Sequence, residues 1–100
     1  YLDEQIRELL HRQLPLNRCI FAYEPVTAIG TGKPINPTDA EMVAGKIAFL
    51  TESQCHILYG GSVTHENVLS FVEQKHISGV LVGTDSLTVD SFTKTLSALL

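Results

Sequence analysis

Three short stretches carry residue types able to do chemistry on a small anion. Glu24 follows the apolar run Cys19-Ile20-Phe21-Ala22-Tyr23 directly and precedes Pro25, which holds its backbone extended at the end of that run. Covered by apolar neighbours such as Ile29 or Leu81, a carboxylate there would be desolvated, bind a proton more readily and suit a general base. Gly60-Gly61-Ser62 and Gly83-Thr84 close two further apolar runs. Glycine lets the backbone approach an anion closely, and N–H groups at a helix start present the positive end of its dipole. Plainer readings stay open on position alone: Glu24 as a solvated loop residue, and the glycines as tight turns from strand to helix.

The segment after Glu24 is built like a lid. Residues 24–37 hold three of the four prolines and two glycines. Pro25-Val26 stiffens one end, Ala28-Ile29-Gly30-Thr31-Gly32 makes a tip of mostly small residues, and Lys33-Pro34 stiffens the other end. Stiff ends around a compact tip suit a segment that swings as a unit and excludes water. It also reads simply as a long connection.

Those stretches need elements to position them. Leu2, Ile6, Leu9 and Leu10 form the stripe of an amphipathic helix that Pro15 and Asn17 end. Short apolar runs at 19–23, 56–59 and 79–82 read as strands buried on both faces, the pattern of a parallel sheet. Between the first two, a helix starts near Asn36, Pro37 and Thr38. Either Asn36 caps it with Pro37 at the first helical position, or Thr38 and Glu41 form a capping box. Its stripe is Ala40, Val43, Ala44, Ile47 and Leu50. A third helix is expected over about Thr64 to Gln74, and a last one with Val89, Phe92, Leu96 and Leu99 on one face. The order α-βα-βα-βα predicts an α/β fold with a parallel sheet in one segment, 1–14 being the leading helix and 15–100 three βα units. In such folds ligands bind at the carboxyl ends of the strands, where Glu24 and both glycine turns fall.

Composition narrows the partners. The 100 residues are 44% hydrophobic, too apolar for disorder, and carry a net charge of −4. That balance argues against a duplex nucleic acid, which needs clustered Lys and Arg. It allows one small phosphate held by backbone amides. The apolar runs are far short of the roughly 18–20 residues that span a bilayer, and no basic segment leads into one as an export signal does. Cys19 and Cys55 make no disulfide framework and no CxxC pair, so they read as reduced, buried thiols in a cytoplasmic setting. His11, His56, His65 and His76 show no metal-ligand spacing, so no metal is expected.

The segment Ala22-Tyr23-Glu24-Pro25-Val26-Thr27-Ala28-Ile29-Gly30-Thr31-Gly32-Lys33 closely resembles the strand-six and lid signature of the triosephosphate isomerase family. Leu58-Tyr59-Gly60-Gly61-Ser62-Val63 is similar to that family's strand-seven loop. Gly79-Val80-Leu81-Val82-Gly83-Thr84-Asp85-Ser86-Leu87 is similar to its strand-eight phosphate loop. Three matches in order make the resemblance specific, and it covers essentially the whole chain.

The resemblance implies the last three βα units of a (β/α)₈ barrel, a fold of about 250 residues when complete. It implies an isomerase of glycolysis and gluconeogenesis that interconverts dihydroxyacetone phosphate and glyceraldehyde 3-phosphate without a cofactor, commonly as a homodimer. Glu24 takes the role of base. Gly30, Ser62, Gly83 and the backbone of Thr84 bind the substrate phosphate. Tyr59 and Ser62 latch the closed lid at its tip, and Ile29 and Leu81 clamp Glu24 in a dry pocket. The family's lysine and histidine at the ends of early strands have no counterpart here, so the chain alone is expected to be inactive. The opening at Tyr1 rather than methionine agrees with a start further upstream.

Two positions depart from the family pattern. Thr27 stands where the family usually has tryptophan at the lid's first hinge, and Thr84-Asp85 replaces the usual Gly-Ala in the phosphate loop. Asp85 puts a negative charge near an anion site, and its side chain is expected to cap the following turn. Two other readings remain: a non-catalytic phosphate-binding or assembly module, and another barrel enzyme with a similar phosphate site. The lid sequence around Glu24 argues against the latter.

Overall fold

The structure, a computed structural model, describes residues 1–100. Helix α1 spans Leu2–His11, and a 3₁₀ turn at Leu16–Arg18 leads into strand β1, Ile20–Tyr23. Helix α2 spans Pro37–Leu50, β2 His56–Gly60, α3 Val68–Val72, β3 Gly79–Leu81 and α4 Val89–Ser97. The three strands form one parallel sheet in the order β1-β2-β3. This is the α/β architecture that the alternation of elements predicts.

Two α2 start signals were open in the sequence, and the structure selects one. The Asn36 side chain accepts the Thr38 N–H at 2.8 Å, with Pro37 at the first helical position. Glu41 is thereby free to act elsewhere. Its carboxylate accepts the His76 backbone N–H at 3.0 and 3.2 Å and pairs with His76 Nδ1, tying α2 to the turn before β3. His76 is thus a satisfied structural histidine. The α2 stripe packs as the periodicity implies, with Ala40, Ala44 and Ile47 buried.

The core joins Ile6 of α1 and the α2 stripe to Ile57 and Tyr59 of β2 and Val68 and Phe71 of α3. Phe21 and Tyr23 of β1, Val80 of β3 and Val82 just after it pack against that core. All helices of that core therefore cover one face of the sheet. The expectation of strands buried on both faces is corrected: β1 alternates between exposed and half-buried residues, with Ile20 64% exposed. Three strands alone supply no opposing strands for the second face.

Two helices also depart from their expected form. Over residues 64–74 only Val68–Val72 is α-helical. Asn67 accepts the Thr64 N–H and donates to the Ser62 carbonyl, while Thr64 Oγ1 accepts the Glu66 N–H. These local bonds hold the entry as a turn in competition with the helix. In α4 the predicted stripe is not covered: Val89 is 85% exposed and Leu96 48%, while the buried residue is Thr95. Phe92, Leu96 and Leu99 instead border a groove of about 400 Å³ along the free edge of β3. Cys19 and Cys55 are free thiols but only partly buried, because each lies at the entrance to a strand rather than within the core. No helix is long and apolar enough to cross a membrane.

Candidate active site

The sheet's register gathers the predicted residues at its carboxyl end. Tyr23 pairs with Tyr59, and Gly60 pairs with Leu81. Side chains alternate along a strand, so Tyr23 and Tyr59 point into the helical layer. Glu24, Gly60 and Leu81 then form one row on the open face. The Glu24 side chain lies back over Gly60: a Cβ built at Gly60 would stand 2.9 Å from Glu24 Cγ and 3.1 Å from Oε1. Its carboxylate enters none of the chain's ion pairs.

The expected dry pocket is not formed by this chain. Glu24 is exposed, Ile29 is 52% exposed and Leu81 40%. The cause is the uncovered second face, which leaves Glu24 and Leu81 open to water while Gly60 is buried beneath the Glu24 side chain. A groove of about 1010 Å³, bordered by Tyr23, Glu24, Val26 and the α1 residues Leu2 and Leu9, runs along the free edge of β1.

The segment after β1 meets β2 and the turn that follows it through two hydrogen bonds. Val26–Ala28 forms a 3₁₀ turn that drives Ala28 into full burial. Ser62 Oγ donates to the Ala28 carbonyl at 2.7 Å. The Tyr59 hydroxyl accepts the Ile35 N–H at 3.3 Å and donates to the Gly61 carbonyl at 3.0 Å. The Ser62 bond reaches Ala28, the first residue of the tip. The Tyr59 bond falls beyond the tip at Ile35, because the buried Tyr59 ring directs its hydroxyl to the returning arm of the lid. Gly61, at φ +146°, permits the close approach: a Cβ there would stand 2.9 Å from both Ala28 Cβ and the Tyr59 hydroxyl.

Tyr59 is fixed from below. It is 1% exposed, stacks on Phe71 with centroids 4.0 Å apart, and meets Tyr23 edge-on at 6.5 Å. Burial pushes both tyrosine phenols above their ordinary value of 10.0. For Tyr23 the Asp39 charge adds to burial; for Tyr59 the Ile35 N–H opposes burial and Tyr23 adds to it. The unfolded chain loses these protons first, so the stability is fully present below pH 10.0 and falls as pH rises through the raised values. Thermal melts from about pH 8 to about pH 11, followed beside phenolate absorbance, should show a flat region and then a decline. A melting temperature that rises above pH 10 would contradict the assignment.

One organising residue escaped the sequence reading. Thr31 Oγ1 accepts the Lys33 N–H at 3.1 Å and lies 3.3 and 3.2 Å from the Thr27 and Lys33 carbonyl oxygens that can take its proton. It braces the lid tip from within. A hydroxyl residue between Gly30 and Gly32 was the available signal.

The second glycine turn continues as a 3₁₀ turn at Thr84–Ser86. The expected Asp85 side-chain cap is not made. Ser86 Oγ donates to the Gly83 carbonyl at 2.6 Å, and Ser91 Oγ donates to the Asp85 main-chain carbonyl at 2.6 Å. The Ser86 and Leu87 N–H groups of this turn are already taken by the Gly83 and Thr84 carbonyls, leaving the Asp85 carboxylate no capping role. No three His, Cys, Asp or Glu side chains lie close enough together to hold a metal ion.

Comparison with known proteins agrees with this arrangement. The family model described as triosephosphate isomerase matches residues 1–99. Triosephosphate isomerase of Mesomycoplasma hyorhinis is 44% identical over 96 residues, covering 96% of this chain and 39% of the relative. That of Rubrobacter xylanophilus is 42% identical over 89 residues, 81% of this chain and 35% of the relative. That of Aquifex aeolicus is 48% identical over 80 residues, 73% of this chain and 32% of the relative. The chain therefore spans between about a third and two fifths of the relatives' length. With a carboxylate, a long connecting segment and two glycine turns at one end of a parallel sheet, and a family model matching from Tyr1 to Leu99, the chain belongs to the triosephosphate isomerase family.

Proposed function

We propose that the chain is the carboxy-terminal portion of an enzyme that interconverts dihydroxyacetone phosphate and glyceraldehyde 3-phosphate. The observation that carries the reading is the row Glu24-Gly60-Leu81 at the carboxyl end of the sheet, beside a lid tied down by Ser62 and Tyr59. Glu24 removes a proton from the carbon beside the substrate carbonyl. The released electron pair forms an enediolate; its hydroxyl proton passes to the other oxygen, Glu24 returns its proton to the neighbouring carbon, and the carbonyl reforms on the first carbon. Backbone amides at Gly30, Gly83 and Thr84, with Ser62, hold the phosphate without a cationic side chain. Ile29 and Leu81 cover Glu24 once the rest of the barrel and the substrate are in place.

Groups that polarise the carbonyl lie outside this chain. In the proposal they come from the earlier βα units, and the 100 residues alone do not turn over. The enzyme works as a cytoplasmic homodimer and needs no cofactor. The test is a coupled assay on the full-length polypeptide that carries these residues. Interconversion of the two triose phosphates by that polypeptide, and none by the isolated chain, is expected. A full-length polypeptide inert toward both substrates would overturn the proposal.

A further inference from the structure

We infer that Gly60 is the positioning residue for Glu24: the missing side chain at Gly60 is what allows the carboxylate arm to lie across β2. The register already places the two residues side by side, since Tyr23 pairs with Tyr59 and each is followed by its neighbour in the row. A methyl group at Gly60 would come within 2.9 Å of Glu24 Cγ, 3.1 Å of Oε1 and 3.4 Å of Cδ. The tightest of these is with Cγ, close to the main chain. It cannot yield by a bend at the tip of the side chain; the whole arm must change rotamer.

Backbone conformation does not explain the glycine. Gly60 is the last residue of β2 and is absent from the positive-φ residues, which among glycines are Gly30, Gly32 and Gly61. Alanine therefore suits the main chain at Gly60, and the conflict falls on Glu24 alone. Gly79 in the neighbouring strand provides the contrast. A Cβ there meets Leu58 Cδ2 at 3.1 Å, the far end of a flexible side chain with no link to Glu24.

The kinetic half of this inference rests on the reading of Glu24 as base; the geometric half does not. In the full-length polypeptide, Gly60→Ala should lower kcat by about 100-fold, the effect of misplacing a reacting group by about 1 Å. KM should stay within about threefold, and Gly79→Ala should keep kcat within about threefold. Because Gly60 acts through Glu24, adding Gly60→Ala to Glu24→Gln should cost less than about threefold more. Independently of turnover, the carboxylate ¹³C resonance of Glu24, assigned by its loss in Glu24→Gln, should move in Gly60→Ala and stay in Gly79→Ala.

Unchanged kcat in Gly60→Ala, or the same large loss in the Glu24→Gln background, overturns the kinetic half. An unmoved resonance overturns the geometric half. If the full-length polypeptide does not isomerise triose phosphates, the function proposal falls while the resonance still decides where Gly60 places Glu24.

Discussion

In the full-length polypeptide, Glu24→Asp lowers turnover by about 10²–10⁴-fold, the contribution of a well-placed proton-transfer group. The substitution keeps a carboxylate but withdraws it by one methylene toward β1. Proton transfer needs heavy atoms within hydrogen-bond reach, so the loss appears in kcat more than in KM. The fold should be indifferent. Glu24 is exposed and belongs to no ion pair, so its shortening leaves neither a cavity nor an orphaned partner. Steady-state kinetics beside a melting curve checks both halves. Unaltered turnover would remove Glu24 from the role of base, and a collapsed melting temperature would show that the loss came from misfolding.

The largest expected stability effect lies behind the lid. Phe71→Ala should cost about 3–5 kcal/mol, the range for deleting a fully buried aromatic ring. Phe71 is 0% exposed and stacks flat on Tyr59, at an interplanar angle of 6°. Its removal takes away the floor that directs the Tyr59 hydroxyl to Ile35 and Gly61, so the lid contact loosens with the core. Since a domain's total stability is only about 5–15 kcal/mol, the variant should be close to unfolding at moderate urea. Denaturant melts of the full-length polypeptide read the loss. A change below about 1 kcal/mol would mean the cavity collapses, against the close packing seen around Tyr59.

What could be read from the sequence was the identity of the parts. Apolar runs that stop at Glu24, Gly60 and Gly83 mark strand ends because a charged residue or a glycine turn cannot continue a buried strand. Asn36-Pro37 marks a helix start because both residues suit the same backbone geometry. What covers each surface could not be read. The α4 periodicity identifies an apolar face, but burial of Leu96 depends on a neighbour that no local pattern encodes. The same limit explains Glu24, whose enclosure depends on residues facing the sheet's second side. The α3 helix came out shorter because Asn67 competes for the backbone through its side chain, which hydrophobic spacing does not register. The site's row was also hidden, since the Glu24-Gly60 contact depends on strand register.

The distribution of the core has a consequence for how this segment folds. Every residue of the core cluster except Ile6 lies between Ala40 and Ile77, from α2 through β2 and α3 to the turn before β3. That stretch can collapse with comparatively small loop-closure cost, whereas β1 must reach β2 across the lid and all of α2. The closest packing of the segment is therefore central. Glu24 on one flank and Gly83-Thr84 on the other lie outside that stretch. The residues assigned to chemistry thus flank the packed centre, while Tyr59, whose hydroxyl meets the returning arm at Ile35, is anchored within it.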